Sequence, residues 1–120
     1  MAAKLVLVVD DDPDVCATIN FRLSAFGYKM VAAHNSEEAC QKVKLLNPEL
    51  ILLDIGLGKE NGIEVLKKIK SEAPQIPVIM LTGQEEFQKE CLKAGASDYI
   101  TKPFDLFKLK QTLSKFLTIA

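Results

Sequence analysis

Short, unbroken apolar runs alternate along this chain with longer stretches in which apolar residues recur every three or four positions. The runs are Leu5–Val9, residues 50–53 and residues 78–81. None alternates apolar with polar, so each predicts a strand buried on both faces, as in a parallel sheet. Two runs of mixed polarity, residues 28–33 and Asp98–Thr101, predict strands at the sheet edges. Five helical stretches separate or follow them. Their apolar positions are Val15, Ile19, Leu23 and Phe26; Ala39, Val43 and Leu46; Ile63, Leu66 and Ile69; Phe87, Cys91 and Ala94; and Leu106, Leu109, Leu113 and Phe116.

The punctuation agrees with this division. Asp12 followed by Pro13 reads as an N-cap and first helical residue. Gly27 and Gly95 stand where helices end. Ser36 precedes Glu37 and Glu38, acids suited to a helix start. Pro48, Pro74 and Pro77 fall between elements. Strictly alternating strands and helices with short connections predict an α/β fold: a doubly wound, five-stranded parallel sheet with five helices on its two faces, a three-layer sandwich. One domain over residues 1–120 is the natural size for such a fold.

Composition narrows the function without naming it. The chain is 48% hydrophobic and 26% charged, with 15 basic and 16 acidic residues and a net charge of −1. That balance does not suggest direct contact with nucleic acid or with an anionic membrane. No stretch reaches the length of a membrane span, and residues 5–9 are too short for a secretory leader, so the expected compartment is the cytoplasm. Cys16, Cys40 and Cys91 lack metal-ligand spacing and read as buried apolar residues in a reducing environment. The lysines of the last helix, Lys108, Lys110 and Lys115, read as a solvated face. His34, the one histidine, reads as a surface or turn residue remote from the acids.

The unusual residues gather at strand ends. The first strand runs into Asp10 and Asp11, the third into Asp54 and the fourth into Thr82, and the fifth is followed by Lys102 and Pro103. Open α/β sheets bind their ligands at that edge. Three carboxylates from neighbouring strands repel one another, and a hard divalent cation such as Mg²⁺ relieves the repulsion. Lys102 offers a compact ammonium and Thr82 a hydroxyl to phosphoryl oxygens. Asp54 offers a carboxylate nucleophile for phosphorus. Simpler roles exist for each. Asp12 and Asp14 are better read as caps of the first helix, Thr82 could cap the helix that follows it, and Lys102 could be a solvated lysine before a turn.

At these positions the chain resembles the receiver domain of two-component response regulators. The matching stretches are LVLVVDDDP (5–13), ELILLDIGL (49–57), VIMLTG (78–83) and AGASDYITKPF (94–104). The resemblance implies a flavodoxin-like strand order of 2-1-3-4-5. It implies that Asp54 is the phosphoacceptor, that Asp11 binds Mg²⁺ directly, that Asp10 acts largely through water, and that the Gly56 carbonyl is a further ligand. It makes Lys102 the lysine that contacts the acceptor and its phosphate, Thr82 the switch hydroxyl and Tyr99 the aromatic switch residue, although plain edge-strand packing also suits Tyr99. It implies a cis Lys102–Pro103 bond. The partners it implies are a histidine kinase or histidine phosphotransfer domain, with a phosphorylation-dependent homodimer or an effector as output through the fourth helix, fifth strand and fifth helix. Gly58 stands where many members have proline, so the glycine-rich loop after Asp54 should be looser. Gly56 and Gln84 bear on the lifetime of the phosphorylated state.

Three rival readings make different demands. A receiver-like module that signals without phosphorylation would bind metal poorly. A small metal-dependent phosphatase would want a second acid two residues after its nucleophile, where this chain has Gly56. A flavin-binding module would want a phosphate-cradling loop after the first strand, where this chain has acids that repel phosphate.

Overall fold

Apolar runs with no polar alternation must bury both faces of the strands they form, and the fold follows from that demand. The computed structural model describes residues 4–57, 60–83, 87–102 and 106–117. In chain order its elements are β1 (Leu5–Val9), α1 (Pro13–Ala25), β2 (Lys29–Ala33), α2 (Ser36–Leu46), β3 (Leu50–Asp54), β4 (Gly56–Leu57), β5 (Glu60–Asn61), α3 (Gly62–Glu72), β6 (Val78–Thr82), α4 (Gln88–Lys93), β7 (Asp98–Thr101) and α5 (Leu106–Phe116). Five strands make one sheet in the order β2-β1-β3-β6-β7, every neighbouring pair parallel. Counting only those five, the order is 2-1-3-4-5, as the resemblance implied. The two edge strands are β2 and β7, the two runs of mixed polarity.

The pleat divides the core in two. Val6, Val8, Leu50, Leu52, Ile79, Leu81 and Ile100 face Cys16, Ile19 and Leu23 of α1 and Leu109 and Leu113 of α5. Leu7, Val9, Ile51, Leu53, Val78 and Met80 face α2, α3 and α4. All of these strand residues are 0% exposed. Each buried leucine or isoleucine contributes about 1.5–3 kcal/mol of transfer free energy, so the central strands are the chief apolar reserve of the fold.

Local chemistry sets the element ends. Asp12 caps α1 by accepting from the Asp14 amide at 2.9 Å, with Pro13 at the first helical position. Gly27 takes φ 92° just past the end of α1, a conformation open to glycine at little cost. Asn35 caps α2 and Asn61 caps α3, accepting from Glu38 and Ile63 amides at 2.9 and 2.8 Å. No helix among the described residues is long and apolar enough to cross a membrane. All three cysteines are free and buried. Burial, with the neighbouring Asp10 charge adding, pushes the Cys16 thiol up to about 11, and burial likewise raises Cys40 and Cys91. Protonated, enclosed thiols of this kind pack rather than react.

The structure departs from the sequence expectations in three places. Cys16 takes the buried place on α1, while Val15 packs at the margin of the core. Leu46 is 46% exposed at the end of α2, and Cys40 occupies the core face instead. The glycine-rich stretch after Asp54 contains a two-stranded antiparallel hairpin, β4 with β5, not a plain loop. Glu60 of that hairpin accepts from the Ser36 amide at 2.8 Å, tying it to the start of α2. Gly58, Gln84 and Pro103, and with it the Lys102–Pro103 bond, lie outside the described residues.

Gly62 follows the hairpin and lies against the backbone of Asp54 and Ile55. Its amide donates to the Ile55 carbonyl at 2.9 Å. A Cβ here would stand 2.5 Å from the Ile55 Cα and 2.7 Å from the Asp54 carbonyl oxygen, both rigid backbone. Gly62→Ala should therefore destabilise the fold by about 1–3 kcal/mol, despite alanine's better helix propensity. Urea unfolding of the two proteins measures this, and an unchanged or raised midpoint would show that the backbone yields at no cost.

Candidate functional site

Parallel register delivers the polar residues to one edge. Val9 pairs with Leu53, so Asp10, one residue on, stands beside Asp54 at the end of β3. Asp54 pairs with Leu81, and Thr82 pairs with Thr101. The Lys102 amide donates to the Thr82 carbonyl at 2.7 Å, which extends the ladder and fixes Lys102 at the same edge. Side chains two residues apart share a face. Asp54 thus continues the face of Leu50 and Leu52, and Lys102 that of Ile100. Lys102 reaches over the end of β6 to Asp54, Nζ to Oδ2 at 2.8 Å. The other Asp54 oxygen accepts from the Gly56 amide at 3.2 Å.

Asp10 is more tightly held. It is 1% exposed, against 8% for Asp54. Its amide donates to the Ala33 carbonyl at 3.0 Å. Its carbonyl accepts from the Cys16 thiol at 3.7 Å and lies 2.9 Å from Nδ1 of His34. Its Oδ1 accepts from the Asp12 amide at 2.9 Å. Its Oδ2 is buried with no hydrogen-bond partner. Burial pushes the Asp10 carboxyl up to about 6; the adjoining Asp54 carboxyl also raises it, while the Asp12 amide and Lys102 oppose the rise. Among the described residues, two buried acids therefore share one nearby ammonium, that of Lys102, and the acids outnumber it.

That shortage is the test of whether a cation fits. Mg²⁺ needs few protein oxygens because it keeps several waters. An unpaired, enclosed carboxylate oxygen beside a second carboxylate suits it, and Asp11 lies exposed at the rim. Among the described residues no three acid, histidine or cysteine side chains already converge as a metal cluster. Water and main-chain oxygen would have to complete the shell.

A cleft of about 570 Å³ opens beside Asp54, lined by polar groups of Asp54, Thr82 and Lys102, by Gly56, and by apolar Ile63 and Phe87. Gly56 is exposed, and a Cβ there would meet nothing within 4 Å, so the approach to Asp54 is open.

The edge thus brings together Asp10, Asp54, Thr82 and Lys102, with Asp11 and Gly56 beside them. Thr82 is fully buried, and Phe87 holds the N-cap position of α4. Tyr99 does not reach the acids. It is half-buried in mid-β7, packed against the α2–α3–α4 side of the core, on the same sheet face as Thr82. His34 corrects the sequence reading: it is exposed, yet its ring contacts the Asp10 main chain. The signal was available, because β1 and β2 both end in an apolar run and Val9 pairs with Ala33, which sets Asp10 opposite His34.

Comparison with known proteins gives a consistent set. The family model described as "Response regulator receiver domain" matches residues 6–114. The transcriptional regulatory protein ZraR of Klebsiella oxytoca is 41% identical over 114 residues, covering 93% of this chain and 26% of that protein. The alkaline phosphatase synthesis transcriptional regulatory protein PhoP of Bacillus subtilis is 42% identical over 103 residues, covering 84% of this chain and 43% of that protein. The chain therefore spans between a quarter and a half of the length of these relatives. Among solved structures, the chemotaxis protein CheY4 of Vibrio cholerae superposes with a TM-score of 0.89 at 28% identity, covering 97% of this chain and all of that one. NtrX of Brucella abortus gives 0.90 at 31%, covering 97% of this chain and 27% of that one.

The buried charge has a measurable signature. The Asp10 carboxyl titrates near 6 in the fold against 3.8 without its surroundings. Between those values the folded chain binds more protons than the unfolded one, so stability falls as pH rises from about 4 to about 6 and stays low above. Without divalent cations, Asp10→Asn should lack that fall and be about 1–3 kcal/mol more stable than wild type at neutral pH. Urea midpoints across this window in chelator check it; a flat wild-type profile would mean that the charge is not buried in excess.

Proposed function

The chain belongs to the response-regulator receiver family, and on that footing we propose that it accepts a phosphoryl group on Asp54 from a phosphohistidine and signals by a change of surface. The observation that carries this reading is the pairing of a buried acceptor with an ammonium, Asp54 with Lys102 at 2.8 Å, beside a buried acid, Asp10, whose Oδ2 has no hydrogen-bond partner among the described residues.

In this reading Asp10, Asp11, Asp54 and the Gly56 carbonyl hold Mg²⁺. When bound, the ion neutralises charge on the incoming phosphoryl oxygens. A carboxylate oxygen of Asp54 attacks phosphorus, the bond from phosphorus to the donor imidazole nitrogen breaks, and the departing imidazole keeps the electron pair and takes up a proton. Lys102 follows the negative charge from the carboxylate to the new phosphoryl group. The open approach above Gly56 admits a donor histidine presented on a protein surface. The donor is a histidine kinase or a histidine phosphotransfer domain.

Thr82 and Tyr99 carry the consequence. Thr82 sits at the polar edge and shares a face with Tyr99, so a hydroxyl drawn toward the phosphoryl group changes the space beside the ring. Phosphorylation then shifts a two-state surface by as much as it binds one state better than the other. An effector region or protein, or a second receiver, reads that surface. Transfer leaves the chain as acceptor and signal, not as an enzyme acting on a separate substrate, and no direct contact of this domain with nucleic acid is required.

Incubation with Mg²⁺ and a small acyl-phosphate donor, followed by intact-protein mass, should show one added phosphoryl group. The addition should vanish in chelator and in Asp54→Ala. Lys102→Ala should slow labelling by about 10²-fold. Full labelling of Asp54→Ala would remove Asp54 as acceptor, and absence of both labelling and Mg²⁺ binding in wild type would favour a module that signals without phosphorylation.

A further inference from the structure

We infer that His34 is a positioning residue for the cation pocket, acting on Asp10 through its main chain; this rests on the reading of Asp10 as part of that pocket. The contact has one chemical sense. The Asp10 carbonyl can only accept, so Nδ1 of His34, 2.9 Å away, carries the hydrogen. The donated bond holds the Asp10 carbonyl oxygen together with the Cys16 thiol, which donates to the same atom.

His34 is itself well anchored. Its amide donates to Oε1 of Glu38 at 3.2 Å, and the Glu38 amide donates to Oδ1 of Asn35 at 2.9 Å. Asn35 thus caps α2, and the Glu38 side chain reaches back past the cap to hold the His34 main chain against the start of the helix. The adjoining Ser36 amide donates to Glu60 of the β4–β5 hairpin at 2.8 Å. One corner of the fold thus holds both the acid pair and the acceptor's hairpin.

The result is that Asp10 is restrained at its amide, its carbonyl and Oδ1, which leaves Oδ2 as its one unpaired oxygen. An oxygen held in place before the cation arrives does not have to be ordered by it. Outer partners that orient metal ligands typically contribute 10–100-fold to affinity when removed. His34 supplies this from an adjacent strand end and touches neither phosphoryl group nor metal.

Three variants separate positioning from plain structure. His34→Ala removes the donor, and His34→Phe keeps a ring without it. His34→Asn places an amide nitrogen where Nδ1 stands. Mg²⁺ affinity by calorimetry should fall about tenfold in the Ala and Phe variants and stay within about twofold of wild type in Asn. In the metal-free proteins, exchange of the Asp12 amide, which donates to Asp10 Oδ1, should quicken in Ala and Phe and not in Asn. Equal Mg²⁺ affinity in wild type, Ala and Phe, with any loss confined to unfolding midpoints, would overturn the inference and leave the functional reading intact. Wild type that binds no Mg²⁺ would instead overturn the functional reading, and this inference with it.

Discussion

A carboxylate enclosed by protein must find hydrogen bonds or a counter-charge, and among the described residues one oxygen of Asp10 has no hydrogen-bond partner. The sheet edge is arranged around that unmet demand. Asp54 stands beside Asp10 because β1 and β3 are paired in parallel, and Lys102 is long enough to satisfy Asp54 across the intervening strand. One ammonium cannot satisfy two acids. Burial, with the adjoining Asp54 carboxyl adding, raises the Asp10 carboxyl and makes a cation the natural third participant.

The two-sided core keeps that strained edge in place. The central strands have no exposed face through which they could relax, and the pleat assigns successive residues to opposite layers. Asp54 and Lys102 fall on the α1–α5 side, whereas Thr82 and Tyr99 fall on the α2–α3–α4 side. The two sets begin at adjacent strand ends, and there Asp54, Thr82 and Lys102 line one cleft. The main-chain bond from Lys102 to Thr82 joins the two sides directly.

Most of this was legible from the chain because the governing signals are strong. Apolar runs without polar alternation mark central strands, and their polar ends mark the edge where ligands bind. The β4–β5 hairpin was not legible: strands of two residues are shorter than any periodicity, and the glycines around them suggested only looseness. The exchange of Val15 for Cys16 turns on less than a third of a helical turn, finer than an apolar stripe can resolve. His34 was misplaced for a different reason. Separation along the chain was taken for separation in space, although in a parallel pair the residues following two paired strand ends are neighbours. The pinning of Asp10 combines local bonds with residues 12–16 and bonds with Ala33 and His34 at the end of β2, and no local pattern encodes the second set.

The central claim is that excess negative charge is buried at Asp10 and relieved by a cation. Calorimetric titration of Mg²⁺ near pH 6, in two buffers of different ionisation enthalpy, tests it most directly. With the Asp10 carboxyl titrating at about 6, binding should displace about half a proton, and the measured heats should differ between buffers. At pH 8 that difference should disappear. Binding of Mg²⁺ with identical heats in both buffers near pH 6 would contradict the account, because the cation would then be meeting a site whose acids were already fully charged.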